Sequence, residues 1–255
     1  MIIETFNLNF FILLAIIIFA IFIITYSLRN SSEKVKAIVL TGICVVNIVI
    51  FFIYKGFLSV DSDFLVISQM DRFNWFSELP LQLCNINMFL IPFGIITKNR
   101  SVLGFSFFIA PLGALMALIF PEAAFTGYSL ALPRMWGFYF THSVILISGI
   151  LISSLGFYRP KYRDYGGITL TFIILSLSAH IINTVLRATV CPQANYFFTY
   201  GSDVSILNLF WKFIPVPFLY ELPSLLILFA YMGIVSSFFY IADLLKSRKK
   251  ELVNV

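Results

Sequence analysis

The chain has 255 residues, 60% of them hydrophobic and only 11% charged, and its mean hydropathy is +0.96. A soluble domain carries about 25% charged residues, so this composition excludes a sizeable soluble domain and is that of an integral membrane protein. The net charge of +5 does not point to nucleic acid, because the basic residues lie in short connections between apolar runs. Three cysteines do not make a disulfide framework.

Seven apolar runs come close to the ~20 residues that a bilayer crossing needs: 8–28, 36–54, 79–97, 102–120, 137–156, 168–187 and 218–241. They predict an all-α, polytopic membrane helical bundle, a single seven-helix transmembrane domain over residues 1–255. The first run follows Glu4, with no Lys or Arg before it, and Arg29 comes after it. That is the reverse of a signal peptide's charge order. The second run holds Cys44 within GICVVNIV, a packing position. The third opens with ELPLQLCNIN, which places Pro80 in its first turn and then Gln82, Cys84, Asn85 and Asn87. The fourth carries Ala110, Gly113, Ala114 and Ala117, small residues that allow close helix approach. Pro92 and Pro111 should bend the third and fourth helices. The fifth holds His142 in FYFTHSVIL, the sixth His180, Asn183 and Arg187, and the seventh starts with Tyr220 and Glu221.

With the N-terminus outside, the inner connections hold 12 of the 17 basic residues: Arg29, Lys34, Lys36, Lys98, Arg100, Arg159, Lys161, Arg163, Lys246, Arg248, Lys249 and Lys250. The outer ones hold Lys55, Arg72, Arg134, Arg187 and Lys212. The positive-inside rule therefore favours N-terminus out and C-terminus in. The long outer connections, 55–78 and 188–217, are rich in aromatics such as Trp75, Tyr196 and Trp211. They should lie at the interface or fold over the outer mouth. Asp61, Asp63, Asp71 and Arg72 read as solvated loop charges.

In that orientation the polar residues converge in depth. Cys84 and His142 each lie about five residues inside the outer end of a helix, and His180 about seven. At 1.5 Å per residue this is roughly 7–10 Å below the outer helix ends, near the boundary of head groups and hydrocarbon. His180, Asn183 and Arg187 line one side of the sixth helix, and Cys84 and Asn87 share a face of the third. Polar and ionisable groups at such depth mark sites.

Three readings are open. In the first, Cys84 is a nucleophile and His142 its base, with Gln82, Asn87, His180, Asn183, Asn195, Tyr196 and Glu221 orienting substrate or holding an oxyanion. This reading calls for no cofactor and takes membrane lipids as substrate. In the second, Cys84, His142 and His180 hold zinc with one open position. In the third the polar ring is the binding site of a transporter or a lipid or small-molecule binder; no inverted repeat supports it. The seventh run, 218–241, has no lysine for a retinal Schiff base.

The segments LPLQLCNINMFLIP, FYFTHSVIL and HIINTVLRATVCPQANYFFTYG, in that order, resemble the YwaF family of bacterial integral membrane proteins. That family is related to the eukaryotic transmembrane protein 164, a cysteine acyltransferase of ether phospholipids, and more distantly to the androgen-induced-protein hydrolases. The resemblance covers roughly residues 79–240. It implies a nucleophile at Cys84, a partner histidine at His142, and further family positions at His180, Asn183, Asn195 and Tyr196. Ala194 stands where that family usually carries a glycine.

Overall fold

The computed structural model describes residues 1–202 and 204–253. Among the described residues nine α-helices follow in chain order: α1 Leu8–Leu28, α2 Glu33–Leu58, α3 Ser62–Ile67, α4 Asn87–Thr97, α5 Arg100–Ile119, α6 Pro133–Ser154, α7 Tyr165–Thr189, α8 Ser205–Phe213 and α9 Ser224–Val253. The only β pairing among the described residues is an isolated bridge between Ile2 and Ser129. Six helical stretches are long and apolar enough to cross a membrane: Leu8–Leu28, Glu33–Leu58, Arg100–Ile119, Pro133–Ser154, Tyr162–Thr189 and Leu219–Ser247. The protein is therefore an all-helical, multi-pass membrane protein. The side chains of Arg248, Lys249 and Lys250 and the C-terminal Val255 lie outside the described residues.

Local chemistry sets most boundaries. Asn7 caps α1 by accepting from the Phe10 N–H, and Ser32 caps α2 by accepting from Val35. Asn99 accepts from the N–H groups of Ser101 and Val102, so α5 restarts at once after α4. Pro133 takes the first position of α6, where its missing N–H costs nothing.

The third apolar run departs from expectation. The run 79–97 yields only the eleven-residue α4, about 16 Å long at 1.5 Å per residue, against a hydrocarbon core of about 30 Å. Residues 79–86 form turns instead. The cause is tertiary: the Leu79 N–H donates to the Tyr196 hydroxyl, and Gln82 Oε1 accepts from the Phe197 N–H. Non-helical backbone needs partners from outside the segment, and these contacts supply two of them.

Helices α5 and α6 make the buried centre. Helices α2 and α4 flank them, α1 lies on α6, α7 on α5, and α9 reaches α7. Small residues set the approach distances. A Cβ on Gly149 of α6 would come within 2.6 Å of the Pro111 ring of α5, and one on Gly137 of α6 within 2.3 Å of Tyr54 of α2. Cys44 is buried among Leu40, Ile91 and Phe108 and serves as packing.

The connection that follows α2 is not simply solvated. Asp61 caps α3 and accepts from Arg134 Nη1 at 2.8 Å through both oxygens, while Arg134 is 1% exposed beneath the Tyr128 ring. This corrects the expectation of a free loop charge at Asp61. The physical reason is that Arg134 sits at the start of α6, too deep to be left without a counter-charge.

Gly137→Ala should lower stability in detergent by about 1–3 kcal/mol, because the Tyr54 ring must move. Gly42→Ala, with nothing within 4 Å of the added carbon, should leave the melting temperature unchanged or raise it.

Candidate functional site

Helix α6 presents Arg134, Phe138 and His142 on one face, at i, i+4 and i+8. The His142 imidazole reaches back one turn, with Nδ1 2.9 Å from the Phe138 carbonyl oxygen. A carbonyl can only accept, so Nδ1 carries the proton and Nε2 keeps its lone pair. That lone pair faces the Cys84 sulfur at 3.6 Å. The Phe138 ring packs against the imidazole with centroids 4.4 Å apart, and Phe125 stacks on Phe138 at 4.6 Å. This aromatic pair closes one side of the site.

Cys84 lies in the turn before α4 and is half-buried, whereas Cys44 and Cys191 are buried; all three are free thiols. Burial pushes the Cys191 thiol up, which keeps it protonated. The Cys84 sulfur also stands 3.6 Å from Asn85 Oδ1. Across from it, Gly113 of α5 brings its bare Cα beside the Cys84 backbone.

A set of clamps holds the turn in place. The Tyr196 hydroxyl accepts from the Leu79 N–H at 3.0 Å and donates to the Phe76 carbonyl at 2.7 Å. Asn183 of α7 grips Tyr196 from both sides: its Nδ2 donates to the Tyr196 carbonyl and its Oδ1 accepts from the Tyr196 N–H, each at 2.8 Å. Asn195 closes the same loop, donating to Gly201 O and accepting from the Tyr200 N–H. Asn87 donates Nδ2 to the Leu83 carbonyl at 2.8 Å, bracing the turn from below. Lys55, buried at the end of α2, is ion-paired with Glu78 just before the turn.

The expected convergence therefore holds for Cys84 and His142 and stops there. His180 makes its polar contact with Thr199 Oγ1 at 3.2 Å and stacks on Tyr200, with centroids 5.1 Å apart. Glu221 accepts from Ser176 Oγ at 2.8 Å, and its other oxygen is buried with no partner among the described residues. Ser176, His180 and Asn183 form one stripe of α7 against the loop 195–201 and the start of the last span. This second cluster holds the clamp rather than the thiol. Among the described residues no three His, Cys, Asp or Glu side chains are grouped to share a metal ion. The three-ligand set of Cys84, His142 and His180 is thus not assembled, because His180 turns towards Thr199.

Three participants escape a reading of the sequence. Lys55 looks like an outer-loop charge, yet it is buried and ion-paired with Glu78, just before the Cys84 turn. The Phe138 carbonyl fixes the tautomer of His142; its position one turn back was the available signal. Gly113 reads as one member of a small-residue stripe.

The sequence model of the TMEM164 family matches residues 4–239 of this chain. No curated protein and no solved structure matches it.

Tyr196→Phe removes both bonds of the hydroxyl. It should cost about 1–3 kcal/mol, the usual penalty for leaving buried partners unsatisfied, read as a lower thermal unfolding temperature in detergent.

Proposed function

This chain belongs to the TMEM164 family, and from that premise we propose that it is a cysteine-dependent acyltransferase or acyl-ester hydrolase acting on membrane lipids. The observation that carries the reading is the thiol–imidazole pair: Cys84 Sγ stands 3.6 Å from an Nε2 whose lone pair is freed by the bond from Nδ1 to Phe138. That is the geometry of a nucleophile with its general base.

In the proposed reaction Sγ attacks the carbonyl carbon of a lipid ester. The thiol proton moves to His142 Nε2 as the C–S bond forms and the carbonyl π electrons move onto oxygen. The tetrahedral intermediate then collapses: the C=O bond re-forms, the C–O bond to the alcohol breaks, and the imidazolium returns its proton to the leaving oxygen. The thioester on Cys84 passes its acyl group to a second alcohol or to water by the same steps in reverse. His142 gains and loses one proton in each half at Nε2, and its Nδ1 proton stays on nitrogen, hydrogen-bonded to the Phe138 carbonyl, throughout.

The topology that goes with this reading has seven crossings, N-terminus outside and C-terminus inside. Residues 79–86 and α4 together make the short third crossing. The Cys84–His142 pair then opens towards the outer leaflet, where ester carbonyls lie and the acyl chains stay in the bilayer. The resemblance to YwaF proteins adds a bacterial cell membrane as the location. A reporter fused to the C-terminus should read as cytoplasmic; an extracytoplasmic signal would reverse the leaflet.

Intact mass of protein purified from membranes, or incubated with a long-chain acyl aryl ester in micelles, should show an acyl-sized adduct that maps to Cys84. Cys84→Ala should show none. His142→Ala should form the adduct on the order of 10² times more slowly or worse, while His180→Ala should change the acylation rate by less than about tenfold, since it does not touch the thiol. An adduct retained in Cys84→Ala, or none in the wild type with any ester tested, would sink the assignment.

A further inference from the structure

The turn that carries Cys84 leaves several backbone donors without an acceptor. The amide N–H groups of Ile86, Asn87 and Met88 donate to Gln82, Cys84 and Asn85 carbonyls, which is the start of the α4 ladder. Those of Gln82, Leu83, Cys84 and Asn85 have no carbonyl or side-chain oxygen acceptor among the described residues. They are the orphan donors at the start of the α4 ladder, which must be met from outside the helix. The last two belong to the thiol-bearing residue itself and to the residue after it.

Beside them the wall is open. A Cβ on Gly113 would lie 3.4 Å from Cys84 Cβ, 3.7 Å from its Cα and 3.8 Å from its amide nitrogen. These are ordinary van der Waals distances, so a methyl group fits there without moving the backbone. The glycine leaves that volume free against the Cys84 N–H. Asn85 completes the enclosure. Its side chain is 8% exposed, its Oδ1 approaches the sulfur, and its Nδ2 has no hydrogen-bond partner among the described residues. The thiol has one proton. When that proton points to His142, half a turn of the Asn85 amide presents Nδ2 to the site in place of Oδ1.

We propose that the backbone N–H groups of Cys84 and Asn85, with Asn85 Nδ2, form an oxyanion site for an acyl carbonyl, in the space that Gly113 leaves open. The inference rests on the acyl-transfer reading of Cys84 and adds to it a binding site for the ester oxygen. As Sγ bonds to the carbonyl carbon, the electron pair displaced onto oxygen is held by these donors, and it returns to re-form C=O when the alcohol leaves. Donors that meet the oxygen only as it becomes charged act on the transition state more than on the bound ester. The site takes carbonyl esters and thioesters. An alkyl halide, which reacts by displacement at a saturated carbon, has no oxyanion and does not use it.

That difference supplies the test. Two rates are measured at Cys84 on the full-length protein in micelles: alkylation by iodoacetamide, and acylation by a 4-nitrophenyl ester of a long-chain fatty acid. In Gly113→Ala the added methyl occupies the proposed carbonyl position. The ratio of acylation to alkylation should fall by about 10²-fold, the usual loss for an oxyanion donor put out of use, with the melting temperature kept. Asn85→Leu should lower the same ratio by at least tenfold and covers the case in which Gly113→Ala does not fold. A ratio unchanged in either folded variant would overturn the oxyanion site while leaving the nucleophile in place. Wild-type protein that is alkylated at Cys84 but never acylated would instead overturn the acyl-transfer reading, and the oxyanion site with it.

Discussion

His142 donates a hydrogen bond from Nδ1–H to a carbonyl one turn back on its own helix, and the proposed chemistry of the site depends on that bond. Without it the imidazole could rotate or take the other tautomer, and Nε2 would offer the sulfur a proton rather than a lone pair. The helix supplies the acceptor from its own backbone, so no second carboxylate is needed to orient the base. Aromatic stacking by Phe138 and Phe125 then restricts the ring. An imidazole held by its own helix and closed in by rings keeps its geometry with little polar surface.

Cys84 is placed by a different device. Residues 79–86 leave the helical path, and their backbone and side-chain groups then need partners from elsewhere in the chain. The loop 195–201 resolves this. Through Tyr196 and Phe197 it takes up the Leu79 N–H and the Gln82 side chain, and Asn183 holds that loop against α7. Phe197 and Phe198 both take positive φ values, 57° and 64°, a region that bulky residues rarely enter. The three hydrogen bonds of Asn183 are what stabilises the loop in that form. The polar residues of α7 thus act on Cys84 at one remove, by holding the loop that holds the turn.

Much of this was legible in the residues themselves. The long apolar runs marked the six long spans, with α1 at the expected bounds, because hydropathy and length alone decide a crossing. Cys84 and His142 were legible as a pair because depth in a helical bundle follows from counting residues. His180 was not separable from them on the same argument: depth says nothing of which way a side chain turns, and on α7 it turns to Thr199. The shortness of α4 was hidden for a similar reason. Pro80, Gln82 and Asn87 fit a helix start, and only contacts from residues more than a hundred positions away draw 79–86 into turns. Lys55 and Asp61 were misread as loop charges because a charge count carries no information on burial.

The chain has only two histidines, which makes the state of the base directly observable. Nitrogen-15 NMR of histidine-labelled protein at neutral pH should show one imidazole, His142, as the Nδ1–H tautomer with an unprotonated Nε2. That Nε2 resonance should move when Cys84→Ala removes the thiol, while the resonances of His180 stay in place. An Nε2–H tautomer at His142, or a His142 spectrum indifferent to the loss of Cys84, would contradict a poised thiol–imidazole pair.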